Sequence, residues 1–142
     1  IIAVTMPGFG TTSRTKSNAV KLCEALNVTL KTVDISKLSL KEFEAIEHDP
    51  QELSVVYENV QARARTGILM NMANKEGGLV IGTGDLSEIA LGWSTYNGDH
   101  MSMYALNSGI PKTLIQYVIE YYKSNKDIAK IIDDILDTPI SP

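Results

Sequence analysis

"LVIGTGDLSEIALG", residues 79–92, is the stretch whose reading decides the fold. A short apolar run containing Val80 and Ile81 stops at Gly82, Thr83 and Gly84, and an acidic cluster then opens a second apolar segment. This is the pattern of a buried strand passing through a glycine turn into a helix that fades at Gly92. Asp85-Leu86-Ser87-Glu88 has the spacing of a capping box, with Asp85 as the cap and Glu88 reaching back to its N–H. That is the simpler reading, because such caps are common at helix starts. A functional reading stands beside it. Ligands of parallel α/β sheets bind beyond the carboxyl ends of the strands. A glycine-flanked turn lets backbone N–H groups approach an anion, and a helix N-terminus adds positive potential. Thr83 offers a hydroxyl to a phosphate, and Glu88 offers the hard oxygen that magnesium takes beside nucleotide phosphates.

Upstream of this stretch the pattern repeats. IIAVTM (1–6) reads as a strand buried on both faces and PGFGTTS (7–13) as a loop. A helix over 14–26 follows, with Ser13 as cap and Ala19, Leu22, Cys23 and Leu26 as its buried stripe. TLKTVDI (29–35) alternates as a second strand, and Ser39 caps a short helix through Phe43 and Ile46. EHDPQEL (47–53) is a loop broken by Pro50, in which His48 belongs to turn chemistry. The longest helix is expected from Val55 to Lys75, closed by Gly77-Gly78.

Downstream, residues 93–109 read as irregular. Pro111 opens an amphipathic helix whose core face is Leu114, Ile115, Val118, Ile119 and Tyr122, and a last helix spans 127–136. Strands alternating with helices specify an α/β fold, a parallel sheet with helices on both faces. Three strands are few for that class, so a further strand is expected upstream of Ile1. The opening on IIAVTM and the stop at DTPISP likewise suggest a piece of something larger, with an incomplete sheet.

The 142 residues are the size of one domain, and a hydrophobic content of 44% with 21% charged residues suits a soluble globular protein. A net charge of −4 and a pI of about 5.1 give no general footprint for nucleic acid or an anionic membrane. No apolar run has the length of a bilayer span, and no leader-peptide pattern is visible. The single cysteine, Cys23, excludes an internal disulfide, fits a reducing cytoplasm, and reads as a buried structural thiol.

Two further segments carry candidate chemistry. In YENVQARAR (57–65), Arg63 falls on the stripe of Val56, Val60, Gly67 and Met70. A guanidinium there needs a carboxylate or phosphate, or else extends to solvent along its stem. Arg65 lies on the opposite face and reads as solvated, while Gly67 within a helix suggests close approach by another group. In GWSTYNGDHM (92–101), Trp93, Tyr96 and His100 occupy a non-helical stretch, where aromatics either stack a ring ligand or plug a sheet edge. His100 has no second histidine at metal spacing. Lys112 is either a solvated lysine or a phosphate contact. No G-x-x-x-x-G-K-[ST], G-x-S-x-G or H-E-x-x-H occurs. The residues themselves reach an acidic α/β domain with an anion-binding edge.

YENVQARAR, GTGDLSEIALGWSTY and NSGIPKT, together with MPGFGTTSRT, resemble the NAD synthetase family, and within it the synthetase domain of the glutamine-dependent form. The resemblance covers nearly the whole chain. It implies an adenine-nucleotide α-hydrolase-like (Rossmann-like) fold and a two-step reaction. ATP adenylates the nicotinate carboxylate of deamido-NAD, and ammonia, drawn from glutamine in the full-length enzyme, displaces AMP to give NAD. Matched residue to residue, Asn59 and Arg63 fall at deamido-NAD contacts, as do Trp93, Ser94, Thr95 and Tyr96. Thr83 and Lys112 fall at ATP contacts, and Glu88 at an acidic position associated with Mg2+ or deamido-NAD. Ammonia-only members tend to carry lysine where Tyr96 stands, which favours the glutamine-dependent branch. A cytoplasmic homo-oligomer is implied as well.

The resemblance departs at one point. The family's S-G-G-x-D-S pyrophosphate loop does not occur in these residues. It is expected upstream of Ile1, with a magnesium-binding aspartate and one strand, and the glutaminase domain is expected elsewhere too. The fragment alone is expected to be inactive. The competing expectations are a non-catalytic nucleotide-binding α/β module, and another pyrophosphate-loop ligase acting on a different acid.

Overall fold

The computed structural model describes residues 1–11 and 13–138; the side chains of residues 13 and 15 lie outside that description. The expected Ser13 cap therefore falls outside it. The chain forms two compact units, one of Ile1–Val33 with Lys112–Pro142 and the other of Asp34–Pro111.

In the first unit, strand β1 (Ile2–Thr5), helix α1 (Ser13–Ala25) and strand β2 (Thr29–Thr32) follow in order. β1 and β2 pair in parallel from Ile2↔Thr29 to Thr5↔Thr32. A parallel pair needs such a crossover, because its strands cannot be joined by a tight turn. β1 is not buried on both faces as its composition suggests: Ile2 is exposed and Ala3, Val4 and Thr5 are half-buried. Among the described residues β1 pairs with β2 alone, so its second edge has no ladder partner. Leu26 is exposed beyond the end of α1, and Cys23 is only half-buried. Among the described side chains of α1 the buried one is Asn18.

The unit is completed by α5 (Lys112–Tyr121), a 3-10 turn (Tyr122–Ser124) and α6 (Lys126–Leu136). Asn125 caps α6 by accepting from the Asp127 N–H at 3.1 Å. Ile128 and Ile132, one turn apart on α6, are buried. The face expected to anchor α5 is largely open, with Leu114, Val118 and Tyr122 exposed. Amphipathic spacing identifies a face able to be covered, and not the surface that covers it.

The second unit holds α2 (Ser36–Ala45), α3 (Val55–Glu76), β3 (Ile81–Gly82), α4 (Leu86–Leu91) and β4 (Tyr104–Ala105). α2 starts one turn earlier than expected, because the Asp34 carboxylate accepts the Ser36 N–H at 2.8 Å. Ser39 is consequently not a cap but a fully buried member of the stripe Ile35, Ser39, Phe43. Phe43 stacks on Tyr57 of α3, with ring centroids 5.6 Å apart and planes 10° apart. α3 buries Val60, Gln61, Ala62 and Ala64. Of the expected stripe of Val56, Val60, Gly67 and Met70 with Arg63, only Val60 is buried; Val56, Arg63 and Gly67 are exposed and Met70 is half-buried. Two alanines and a glutamine hid the true core face from an apolar count. A Cβ at Gly67 would meet nothing within 4 Å, so no close approach explains that glycine.

The third strand is shorter than LVIG. Val80 and Gly82 are buried, but Leu79 and Ile81 are exposed. β3 pairs in parallel with β4 at Ile81↔Tyr104 and Gly82↔Ala105. The fourth strand thus lies inside the stretch expected to be irregular. Its exposed Tyr104-Ala105 pair is too short to give a strand pattern. Among the described residues there are two separate two-stranded parallel sheets rather than one.

Candidate functional site

The turn between β3 and α4 is built first by its cap. Asp85 is buried, its Oδ1 accepts the Glu88 N–H at 3.0 Å, and its own N–H donates to Glu88 Oε2 at 3.2 Å. The capping box anticipated from the sequence is complete. The Leu86 N–H is taken as well, by the Ile110 carbonyl at 3.0 Å. Of the N–H groups at this helix end, those of Asp85, Leu86 and Glu88 have internal partners, which leaves the expected anion contact to the glycine-flanked turn ahead of the cap. Thr83 stands exposed ahead of the cap.

α4 ends at Gly92, whose φ of 64° lies in the left-handed region that glycine adopts without cost. The reversal lets the Trp93 N–H donate to the Glu88 carbonyl at 2.9 Å, which starts the aromatic segment directly against α4. The segment then tightens into a turn, with the Gly98 N–H on the Thr95 carbonyl at 2.9 Å. A Cβ at Gly98 would lie 2.7 Å from Thr95 Cβ and 2.9 Å from its carbonyl oxygen, so the turn needs glycine for space.

Helix α3 holds this segment by three side chains. Thr95 Oγ1 donates to Asn59 Oδ1 at 2.8 Å, and Arg63 Nε donates to the Tyr96 carbonyl at 3.1 Å. Arg65 pairs with Asp99, with Nε at 2.9 and 3.2 Å from the two carboxylate oxygens and Nη2 at 2.7 Å from Oδ2. Asn59 and Arg63 are one helical turn apart and share a face, so each can reach consecutive residues of the segment. Arg65 is not the solvated residue expected from its position: of the three it is the one that pairs with a carboxylate. The missed signal was the acidic residue in the aromatic segment, Asp99, whose partner only the tertiary fold selects.

The structure thus brings together Asn59, Arg63, Thr95 and Tyr96, with Trp93 tied to the Glu88 backbone. Trp93 and Tyr96 are 60% and 78% exposed, so their rings are presented outward instead of plugging a sheet edge. Ser94 is exposed beside them. Lys112 lies at the start of α5, in the other unit, and half-buried. His100 Nδ1 is buried with no hydrogen-bond partner among the described residues. Shifted ionisations occur elsewhere. Arg14, and after it Asn18, hold the Asp134 carboxyl below its ordinary 3.8, while the hydrogen bonds to Asp134 and then Asp137 raise Arg14.

A family model described as NAD synthase matches residues 1–130. The glutamine-dependent NAD(+) synthetase of Mycobacterium leprae is 47% identical over 151 aligned residues, covering 100% of this chain and 22% of the relative. The structure of glutamine-dependent NAD+ synthetase from Acinetobacter baumannii in complex with ADP matches with a TM-score of 0.80 at 29% identity, over 86% of this chain and 23% of that one. NMN synthetase from Francisella tularensis matches at a TM-score of 0.83 over 99% of this chain and 55% of its own, its 24% identity showing the fold alone. The fold is therefore of the adenine-nucleotide α-hydrolase-like α/β class. The chain belongs to the NAD synthase family, and it spans 22% of the length of its mycobacterial relative.

Proposed function

We propose that the protein carrying this chain makes NAD by amidating deamido-NAD at the expense of ATP, with ammonia drawn from glutamine. The observation that carries the reading is the joining of Asn59 and Arg63 to Thr95 and Tyr96, which makes one surface of the residues matched to the dinucleotide site. A carboxylate is a poor electrophile until one oxygen becomes a leaving group. Transfer of AMP from ATP to the nicotinate carboxylate releases pyrophosphate and gives an acyl adenylate. Ammonia then attacks that carbonyl, the bond to AMP breaks, and a proton is lost to give the amide.

The chain's own residues bind and orient. Arg63 spends Nε on the Tyr96 carbonyl, and among the described residues its terminal nitrogens have no partner, which suits them to a dinucleotide phosphate or carboxylate. Exposed Trp93 and Tyr96 supply ring faces for stacking. Thr83 and Lys112 are assigned to ATP. Glu88 is assigned to magnesium or deamido-NAD, as one carboxylate ligand. Among the described residues no three His, Cys, Asp or Glu side chains cluster around a metal position. That donor set fits an ion that arrives on ATP phosphates and keeps water ligands, as magnesium does. When bound, it offsets polyphosphate charge.

The test is an assay of the intact protein with deamido-NAD, ATP and glutamine. NAD, AMP and pyrophosphate in equal amounts are expected, with ammonia able to replace glutamine; absence of product overturns the reading. These 142 residues by themselves, which contain no S-G-G-x-D-S loop, are expected to give no turnover. Cytoplasmic residence and homo-oligomeric assembly are proposed along with the activity.

A further inference from the structure

We infer that Arg65 and Asp99 form a positioning pair, which fixes the Trp93–Tyr96 wall for the dinucleotide without touching it. The inference rests on the function proposed above and adds two residues to it.

The wall has little apolar burial to hold it: Trp93 and Tyr96 are mostly exposed. Its position therefore depends on directional polar contacts. At its start stands the Trp93 N–H on the Glu88 carbonyl, and in its middle stand the Asn59 and Arg63 contacts. All of these lie at or before Tyr96. Beyond the wall the chain turns at Gly98, with the Met101 N–H returning to the Gly98 carbonyl at 2.9 Å. Asp99 sits inside that return, and its two oxygens take the Arg65 fork. A fork-to-carboxylate pair fixes direction as well as distance, which one hydrogen bond does not. Arg63 and Arg65, two positions apart, leave the helix about 200° apart, so the segment is held from two sides of α3. The pair is only partly covered, with the Arg65 side chain 29% and that of Asp99 54% exposed. Its contribution to global stability is accordingly small, which separates positioning from folding.

The experiment uses the intact protein and the variants Arg65→Ala, Arg65→Lys, Asp99→Asn and the double variant R65A/D99N. Hydrogen exchange of the amides of residues 93–101 is measured first, because it is independent of activity. Faster exchange there in R65A and D99N, with unchanged exchange in α1 and α6, is expected; unchanged exchange in 93–101 overturns the pair as a positioning device. Steady-state kinetics follow. The KM for deamido-NAD is expected to rise about fivefold in each single variant and no further in the double, with the ATP KM and kcat within about twofold. Lysine at position 65, which keeps the charge but not the fork, is expected to recover only part of the loss. Additive effects, or equal changes in both KM values, overturn the inference. If wild-type protein turns over no deamido-NAD, the functional reading fails, and the exchange result still decides whether the pair orders the segment.

Discussion

Two polar clasps in this molecule look alike on paper and rest on different foundations. In the first unit, Arg14 donates to Asp134 Oδ1 at 3.0 Å from Nε and 2.6 Å from Nη2, and Asn18 donates to Asp134 Oδ2 at 2.6 Å. α6, which carries that carboxylate, buries Ile128 and Ile132. In the second unit, Asn59, Arg63 and Arg65 of α3 hold an irregular segment whose aromatic rings face outward. The lesson is that ion pairs mean different things according to what lies beneath them. Over an apolar contact they set the angle of a helix already held by burial. Where the large rings face outward instead, they set the position of a surface.

The comparison is broken most directly at the apolar side. Ile132→Ala is expected to cost about 2–5 kcal/mol in urea unfolding, while the folded protein keeps its KM for deamido-NAD. Loss of dinucleotide affinity at full stability would erase the distinction. Arg63→Ala is expected to do the opposite: about a hundredfold loss of kcat/KM for deamido-NAD, roughly 2.7 kcal/mol, with an unchanged unfolding midpoint. Asp85→Ala removes the cap of α4, and about 1 kcal/mol of stability with it; circular dichroism melts of the intact protein measure that loss.

The smallest effect concerns acid. Since Asp134 ionises below its ordinary 3.8 when folded, its stabilising contribution is complete above about pH 4 and is lost as pH falls through the lowered value. Asp134→Asn should therefore be less stable than the wild type at neutral pH, with the gap narrowing toward pH 3. A gap that widens in acid would show that the carboxylate is not what Arg14 and Asn18 stabilise.

The residues announced the capping box of α4, the extent of α3 and α6, and the parallel crossover, because each depends on neighbours within a few positions. Asp85 needs only Glu88, three residues on. The same reading set Arg63 among apolar neighbours, with a buried partner and extension to solvent both open, and Arg65 in solvent. Helical phase was chosen there by counting apolar side chains, whereas the fold buries Gln61, Ala62 and Ala64. Tyr104-Ala105 was illegible as a strand, since a two-residue ladder is defined by its partner at Ile81-Gly82 rather than by its own pattern.

What the sequence by itself determined is the kind of molecule: an α/β chain of strand–turn–helix units, whose motifs in order resemble one enzyme family. Those features are local, and local propensity and covalent spacing fix them. Only the tertiary structure decided which donors at the turn of residues 82–88 are already taken, and which arginine meets Asp99. A hydrogen bond across 34 positions of chain depends on where the intervening helices and strands set the two ends down, and no spacing rule carries that information.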